Sequence, residues 1–232
     1  MRTSDIPEVR SLPLFSNMSD DSFGALMRAA YVQTFPPHVE IVSEGDACDF
    51  LHIVVDGSVE LFASWNGRET SMAIVQPVNA FILAATIRDA PYLMSARTIE
   101  KTRMVLVPST DVRAVFDTDN AFARAVVAEL AQAYRTVVKG KKNLKLRTSI
   151  ERLANYLLRM REIAGGGPEF ELDMEKRRLA SLLGMTPENL SRAIRTLQSY
   201  GVEVDNSRVR IDNPDELVKL AKPTPLIDDP EH

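Results

Sequence analysis

The chain has 232 residues, 45% of them hydrophobic and 26% charged, with a formal net charge of −4. That composition fits one or two globular domains with ordinary cores, and it excludes a disordered chain or a protein basic throughout. A single cysteine excludes an intrachain disulfide framework and a cysteine-ligated iron–sulfur cluster. Neither a signal peptide nor an apolar run of roughly 18 residues is present, so the chain is expected in the cytoplasm, without a membrane.

Residues 1–10 are polar and read as loose. Ser19 can cap a short amphipathic helix that runs to Ala30 with Phe23, Leu26 and Met27 inward. From Tyr31 to Val107 the apolar period changes to two. Candidate strands are Val39–Ser43, Phe50–Asp56, Ser58–Ser64, Thr70–Val75, Leu93–Thr98 and Arg103–Pro108. Pro36-Pro37, Glu44-Gly45-Asp46, Asp56-Gly57 and Asn66-Gly67 punctuate them, and Asn-Gly is a strong hairpin signal. Short strands at this spacing predict a β-sandwich or jelly roll.

Residues 117–146 read as one long helix. Val126, Leu130, Ala133, Val137, Gly140 and Leu144 recur at alternating spacings of four and three, a heptad seam. Such a seam serves either a dimer or packing on the helix's own domain. Gly140 weakens the helix by about 1 kcal/mol relative to Ala. A basic run follows: Lys139, Lys141, Lys142, Lys145 and Arg147.

Thr148 to Glu151 form a capping box for another helix, whose apolar face carries Leu153, Tyr156, Leu157 and Met160. Gly165 to Pro168 are a flexible connection, and Glu169–Leu172 read as a short strand. Asp173 can cap a short helix with Leu179, Leu182 and Leu183 on one stripe. Gly184 suits the positive φ of a tight turn. Thr186 is then a good N-cap, Pro187 suits the first helical position, and Glu188 favours the positive end of the dipole. Leu190, Ile194 and Leu197 form the inner face. Two short helices joined by a glycine turn are a helix-turn-helix. Val202–Val204 and Val209–Ile211 flank a turn at Asp205 to Arg208, a hairpin suited to be a wing. Pro214–Leu220 read as a last helical turn, and the Pro-rich acidic tail as mobile.

Charge is unevenly distributed. Residues 1–138 carry 11 Lys+Arg and 17 Asp+Glu, whereas residues 139–211 carry 15 and 9. A net −6 half followed by a net +6 region suits a sensor joined to a nucleic-acid reader. Glu188, Ser191, Arg192 and Arg195 share the outer side of the second helix. A carboxylate there can accept from a cytosine amino group and an Arg can grip a guanine edge, although a solvated helix face carries the same residue types.

Gly184-Met-Thr-Pro-Glu-Asn-Leu-Ser-Arg192 resembles the recognition helix of the Crp/Fnr family of bacterial transcription regulators. The likeness spans roughly residues 10–220. The Glu188-x-x-Ser191-Arg192 pattern is that of the Fnr/Dnr/NnrR-like branch, and Pro187 stands where Crp-type readers carry another Arg. The resemblance implies an α+β chain made of a cyclic-nucleotide-binding-type β-roll, a long dimerisation helix and a winged helix-turn-helix. Glu44-Gly45-Asp46 and Asp56-Gly-Ser-Val-Glu-Leu61 match the roll. The implied organisation is a β-roll sensor over 1–116, a dimerisation helix over 117–147, a DNA-binding domain over 148–222 and a mobile tail over 223–232. The implied partners are double-stranded DNA, a second copy of the chain and RNA polymerase. In that branch the three residues of the pattern read a TTGA-type half-site. Arg177, Arg178, Arg195 and Arg208 are then candidates for phosphate contacts, and Val126, Leu130, Ala133, Val137 and Leu144 for the dimer.

In cyclic-AMP-binding relatives a Gly-Glu pair and an Arg-Ser pair hold the nucleotide. Here the first falls in Val78 to Ala85, which has neither residue, and the second aligns with Tyr92-Leu93. A cyclic phosphate without its Arg is an unpaired anion in a pocket, so cyclic AMP is not expected to bind. The apolar replacements, Phe81, Leu83, Tyr92 and Leu93 among them, either fill the old site or form a pocket for haem or another hydrophobic effector. The histidines available as axial ligands are His38, His52 and His232. Cys48, in the Gly45–Asp49 turn, is expected to be exposed and is a candidate redox handle. A chain with no effector at all is a further reading. Two other classes compete with the regulator: a β-roll module that docks on a partner protein, and an enzyme. Neither a P-loop, a Gly-x-Ser-x-Gly motif, an acid–base pair nor metal-ligand spacing supports the enzyme.

Overall fold

Short helices open the chain in the computed structural model, which describes residues 5–172 and 174–229. The proposed Asp173 cap, His232 and the final three residues of the tail lie outside the described residues. Helices α1 (Asp5–Arg10), α2 (Pro13–Ser16) and α3 (Asp20–Ala29) precede the first strand. The loose stretch expected over residues 1–10 is therefore helical from residue 5. Val9 is fully buried, and Arg10 donates to Phe15 O and Met18 O at 2.9 and 2.8 Å, which docks the segment. In α3, Ser19 caps Ser22 N, and Phe23, Leu26 and Met27 are buried as their spacing predicts.

The strands are β1 (Tyr31–Phe35), β2 (Glu40–Val42), β3 (Phe50–Asp56), β4 (Val59–Trp65), β5 (Arg68–Val75), β6 (Asn79–Phe81), β7 (Ser95–Thr98) and β8 (Thr102–Pro108), with helix α4 (Leu83–Arg88) between β6 and β7. They make two antiparallel four-stranded sheets, ordered β1-β8-β3-β6 and β2-β7-β4-β5. The period of two decides where each side chain goes. In β3, Leu51, Ile53 and Val55 face a core shared with the helices. Val54, packed by Phe50, faces the interior of the roll with Met104 and Leu106 of β8.

Helix α5 (Ser109–Thr118) is followed by α6 (Asn120–Leu146). The long helix expected over 117–146 is present as α6 but starts at Asn120, with residues 117 and 118 closing α5. Asp119 breaks the run with extended backbone, and its carboxylate accepts from Ala121 N and Phe122 N at 3.0 Å, an N-cap. The Phe122 and Ser19 amides hold that carboxyl well below the usual range. The chain divides into two units, residues 1–133 and 134–232, and the division falls within α6.

The second unit contains α7 (Ser149–Ile163), β9 (Glu169–Glu171), α8 (Lys176–Leu182), α9 (Pro187–Leu197), β10 (Val202–Asp205), β11 (Arg208–Ile211), α10 (Pro214–Ala221) and α11 (Pro225–Asp228). The Thr148–Glu151 capping box is present with both of its bonds. Strands β10, β11 and β9 form one antiparallel sheet with β11 in the middle. Leu153, Leu157, Phe170, Leu179, Leu190, Leu197, Val209 and Leu217 belong to a single core. A β-roll, a long helix and a helix-turn-helix with a small wing sheet make up the α+β fold.

Candidate nucleic-acid interface and effector region

The turn between α8 and α9 is shaped by one glycine. Gly184 has φ +62°, and a Cβ there would lie 2.5 Å from Leu144 Cδ2. The positive φ calls for glycine, whereas the near atom is the end of an exposed Leu side chain that can move aside. Gly184 N and Met185 N bond back to Ser181 O and Ala180 O at 2.9 and 2.8 Å, closing α8. Thr186 then caps Asn189 N at 3.2 Å, with Pro187 in the first turn of α9. Leu190, Ala193 and Leu197 are buried and Ile194 is half-buried, so the rest of the helix faces outward.

That outward face carries Glu188, Ser191, Arg192 and Arg195, all exposed. The Glu188 carboxyl is held below its ordinary value by its own backbone amide, then by the Thr186 hydroxyl and the Arg192 charge. It is therefore an ionised acceptor at neutral pH. Ser191 donates its hydroxyl proton to Pro187 O at 2.9 Å, which leaves its oxygen as an acceptor. Arg177 is exposed in the first turn of α8, and Arg178, half-buried there, has a partner within the chain. On the wing, Arg208 is exposed, while Arg210 is engaged by Glu203 at 3.4 Å and Asp212 at 3.1 Å.

Arg152 was not singled out by its sequence context, where it is one Arg among many on a helix. In the structure its guanidinium bonds three carbonyls: Arg147 O at 2.7 Å, Leu183 O at 2.8 Å and Gly184 O at 3.3 Å. Burial pushes its pKa down from the ordinary value. It joins the end of α6 to the turn that precedes α9.

The apolar seam of α6 is displaced from its expected register. Val126 is fully buried in its own unit's core and Leu130 packs against it, so neither is left exposed in a single chain. Val127, Tyr134, Val137 and Leu144 are among its exposed apolar residues, with Val138 and Leu146 beside them. With Leu130 and Lys141 between them, the first four also fall on a spacing of three and four, which keeps Leu130, Val137 and Leu144 and takes Val127, Tyr134 and Lys141 in place of Val126, Ala133 and Gly140. Ala133 and Gly140 are exposed beside this stripe.

In the roll, the four expected pocket residues do not line one space. Phe81 and Tyr92 are buried in the roll interior, Leu83 belongs to the helix-covered core, and Leu93 is 83% exposed. Leu93 precedes β7 instead of opening it, so the alternation that would turn it inward does not apply. His52 is buried, stacked on Phe81 at 5.2 Å and set edge-on to Tyr92 at 6.3 Å. Its Nδ1 has no hydrogen-bond partner, and burial pushes its pKa down to about 4. Cys48 is buried, correcting the expectation of an exposed thiol, because the turn folds inward onto Thr86 and Ser109, 3.4 and 3.7 Å from the sulfur. Arg97 lies over the Phe62 ring and is bound to Glu60 at 2.8 Å and Glu69 at 2.7 Å. A cavity of about 500 Å³ lies at the mouth of the roll, where Glu40, Ser43, Asp46, Asp49, His52 and Tyr92 contribute to its wall. A wall with three carboxylates does not suit a haem macrocycle. Among the described residues no group of three His, Cys, Asp or Glu is placed to hold a metal ion, and no helix is long and apolar enough to cross a membrane.

Comparison with known proteins agrees with this geometry. Residues 151–220 match the family of Crp-like helix-turn-helix domains, and residues 32–119 match the cyclic nucleotide-binding domain family. The CRP-like cAMP-activated global transcriptional regulator of Mycobacterium tuberculosis is 22% identical over 215 residues, covering 90% of this chain and 96% of the relative. The nitrogen fixation regulation protein FixK of Rhizobium meliloti is 26% identical over 171 residues, covering 72% of this chain and 75% of the relative. Among solved structures, FixK2 from Bradyrhizobium japonicum superposes with a TM-score of 0.71 at 24% identity, covering 84% of this chain and 98% of that one. At that identity the likeness speaks for the fold.

Proposed function

We propose, from the premise that the chain is a DNA-binding transcription regulator of the Crp/Fnr family and not an enzyme, that it reads a TTGA-type palindrome as a homodimer without responding to cyclic AMP. The observation that carries this reading is the face of α9. Glu188, Ser191 and Arg192 stand exposed over a ridge of buried Leu190, Ala193 and Leu197. In a major groove, Arg192 bonds a guanine edge, Glu188 accepts from a cytosine amino group, and Ser191 accepts from a base or covers a methyl. Arg177, Arg178, Arg195 and Arg208 contact phosphates, which fixes register and not sequence.

Two readers are needed for a palindrome, and the exposed Val127, Tyr134, Val137 and Leu144 of α6 supply the surface that pairs them. The relative from Mycobacterium tuberculosis is cAMP-activated by name. This chain lacks the means to follow it: Tyr92 is buried among apolar side chains, and Arg97 is already bound to two carboxylates. The reading is tested by DNA binding of two variants. Arg192→Ala should cost about 1–3 kcal/mol per half-site and relax the preference at one guanine. Arg178→Ala should weaken all sequences alike. Equal losses on every sequence with Arg192→Ala would remove this helix face from base reading.

A further inference from the structure

The acidic tail, expected to be mobile, instead returns to the end of the long helix. Arg147 lies one residue beyond α6, and its side chain is only 7% exposed. Its two terminal nitrogens meet the two carboxylate oxygens of Asp228 in α11, both at 2.6 Å. The same guanidinium donates to Asn143 Oδ1 at 3.2 Å and Lys222 O at 3.4 Å. Asp228 also caps its own turn by accepting from Thr224 N at 2.7 Å. Two further α6 side chains reach the segment: Lys139 Nζ to Asp229 O at 2.5 Å and Lys142 Nζ to Leu226 O at 3.5 Å. The match to the helix-turn-helix family ends at residue 220, so this segment lies outside it.

We propose that Arg147 and Asp228 are positioning residues for DNA reading, and that segment 222–229 is a latch holding the last turns of α6 onto the winged helix. The inference rests on the DNA-binding reading above. Arg152 already fixes the turn before α9 to Arg147 O, so whatever steadies Arg147 steadies α9 against α6. A planar, two-bond Arg–carboxylate pair sets direction as well as distance. Of the basic run at the end of α6, Lys141 and Lys145 are exposed, whereas Lys139, Lys142 and Arg147 are turned to the tail. Without the latch each reader would sample several orientations. If each were aligned about a third of the time, a complex requiring both would lose about ninefold in affinity.

The test uses the full chain with Asp228→Asn, which keeps the shape and removes the charge, and Asp228→Glu, which restores a carboxylate. Binding to a selected palindrome is followed by fluorescence anisotropy, and hydrogen exchange is followed at amides 143–148. Asp228→Asn should raise Kd about five- to tenfold with unchanged base preference and speed exchange at those amides. Asp228→Glu should recover most of both. Wild-type affinity in Asp228→Asn would overturn the proposal. So would a loss accompanied by a general fall in thermal stability but no faster exchange at 143–148. If the unaltered protein bound no duplex, the DNA reading itself would fail, a different outcome from an Asp228→Asn variant that binds as well as wild type.

Discussion

Acid should destabilise this protein in part through one buried imidazole. His52 is 5% exposed, its Nδ1 has no partner, and its pKa is pushed from 6.5 to about 4 by desolvation, against a smaller raising effect of the Phe50 backbone. The folded protein therefore refuses a proton that the unfolded chain accepts below pH 6.5. Stability is at its full value above that pH and falls as the pH drops toward 4. Linkage over this shift gives a loss of about 2 kcal/mol at pH 5 and about 3 kcal/mol at pH 4. His52→Leu removes the titrating group and should flatten this part of the profile, whatever it does to stability at neutral pH through lost contact with Phe81 and Tyr92. Urea unfolding of both proteins between pH 7.5 and 4 measures the difference, and subtraction removes the shared contributions of carboxylates such as Asp119 and Asp228. Parallel profiles would refute the reasoning and show that His52 takes up its proton in the folded state.

Val137 is 67% exposed in the single chain, so Val137→Glu should leave the fold intact and shift the sedimenting species from dimer to monomer. Burying a side chain of this size contributes roughly 1.5–3 kcal/mol, and two copies are lost together at a two-fold interface. Val126→Glu should instead damage the fold of the first unit, since Val126 is fully buried in it. Calorimetry with cyclic AMP should show no binding at micromolar concentrations, and an isotherm in that range would mean that Arg97 leaves Glu60 and Glu69 to meet the phosphate.

Much of the fold can be read from local chemistry. The strand Phe50–Asp56, the Ser19 and Thr148 caps and the α9 cap all follow from the residues within one turn or one alternation. What could not be read depends on contacts far along the chain. Cys48 sits among acids in a turn-like sequence, yet Thr86 and Ser109 draw it inside. Helix α4 starts after Ile82 at φ 64°, a conformation that a β-branched residue rarely signals. The heptad pattern is compatible with two registers, and only burial of Val126 against the roll's own helices separates them. The tail looked mobile because prolines and acids lack a periodic apolar face, while its partner, Arg147, lies some eighty positions earlier. Of the interface, the exposed face of α9 was legible because helical spacing alone defines it; the bridging role of Arg152 was not.

The most direct test of the account is a binding selection on random duplexes with the purified protein. The account predicts a palindrome resembling TTGA(T/C)-N4-(A/G)TCAA, with half-sites about one helical turn apart, and loss of preference at a single guanine per half-site when Arg192→Ala is selected in parallel. A consensus without TTGA, or enrichment of unpaired half-sites in no fixed spacing, would contradict it.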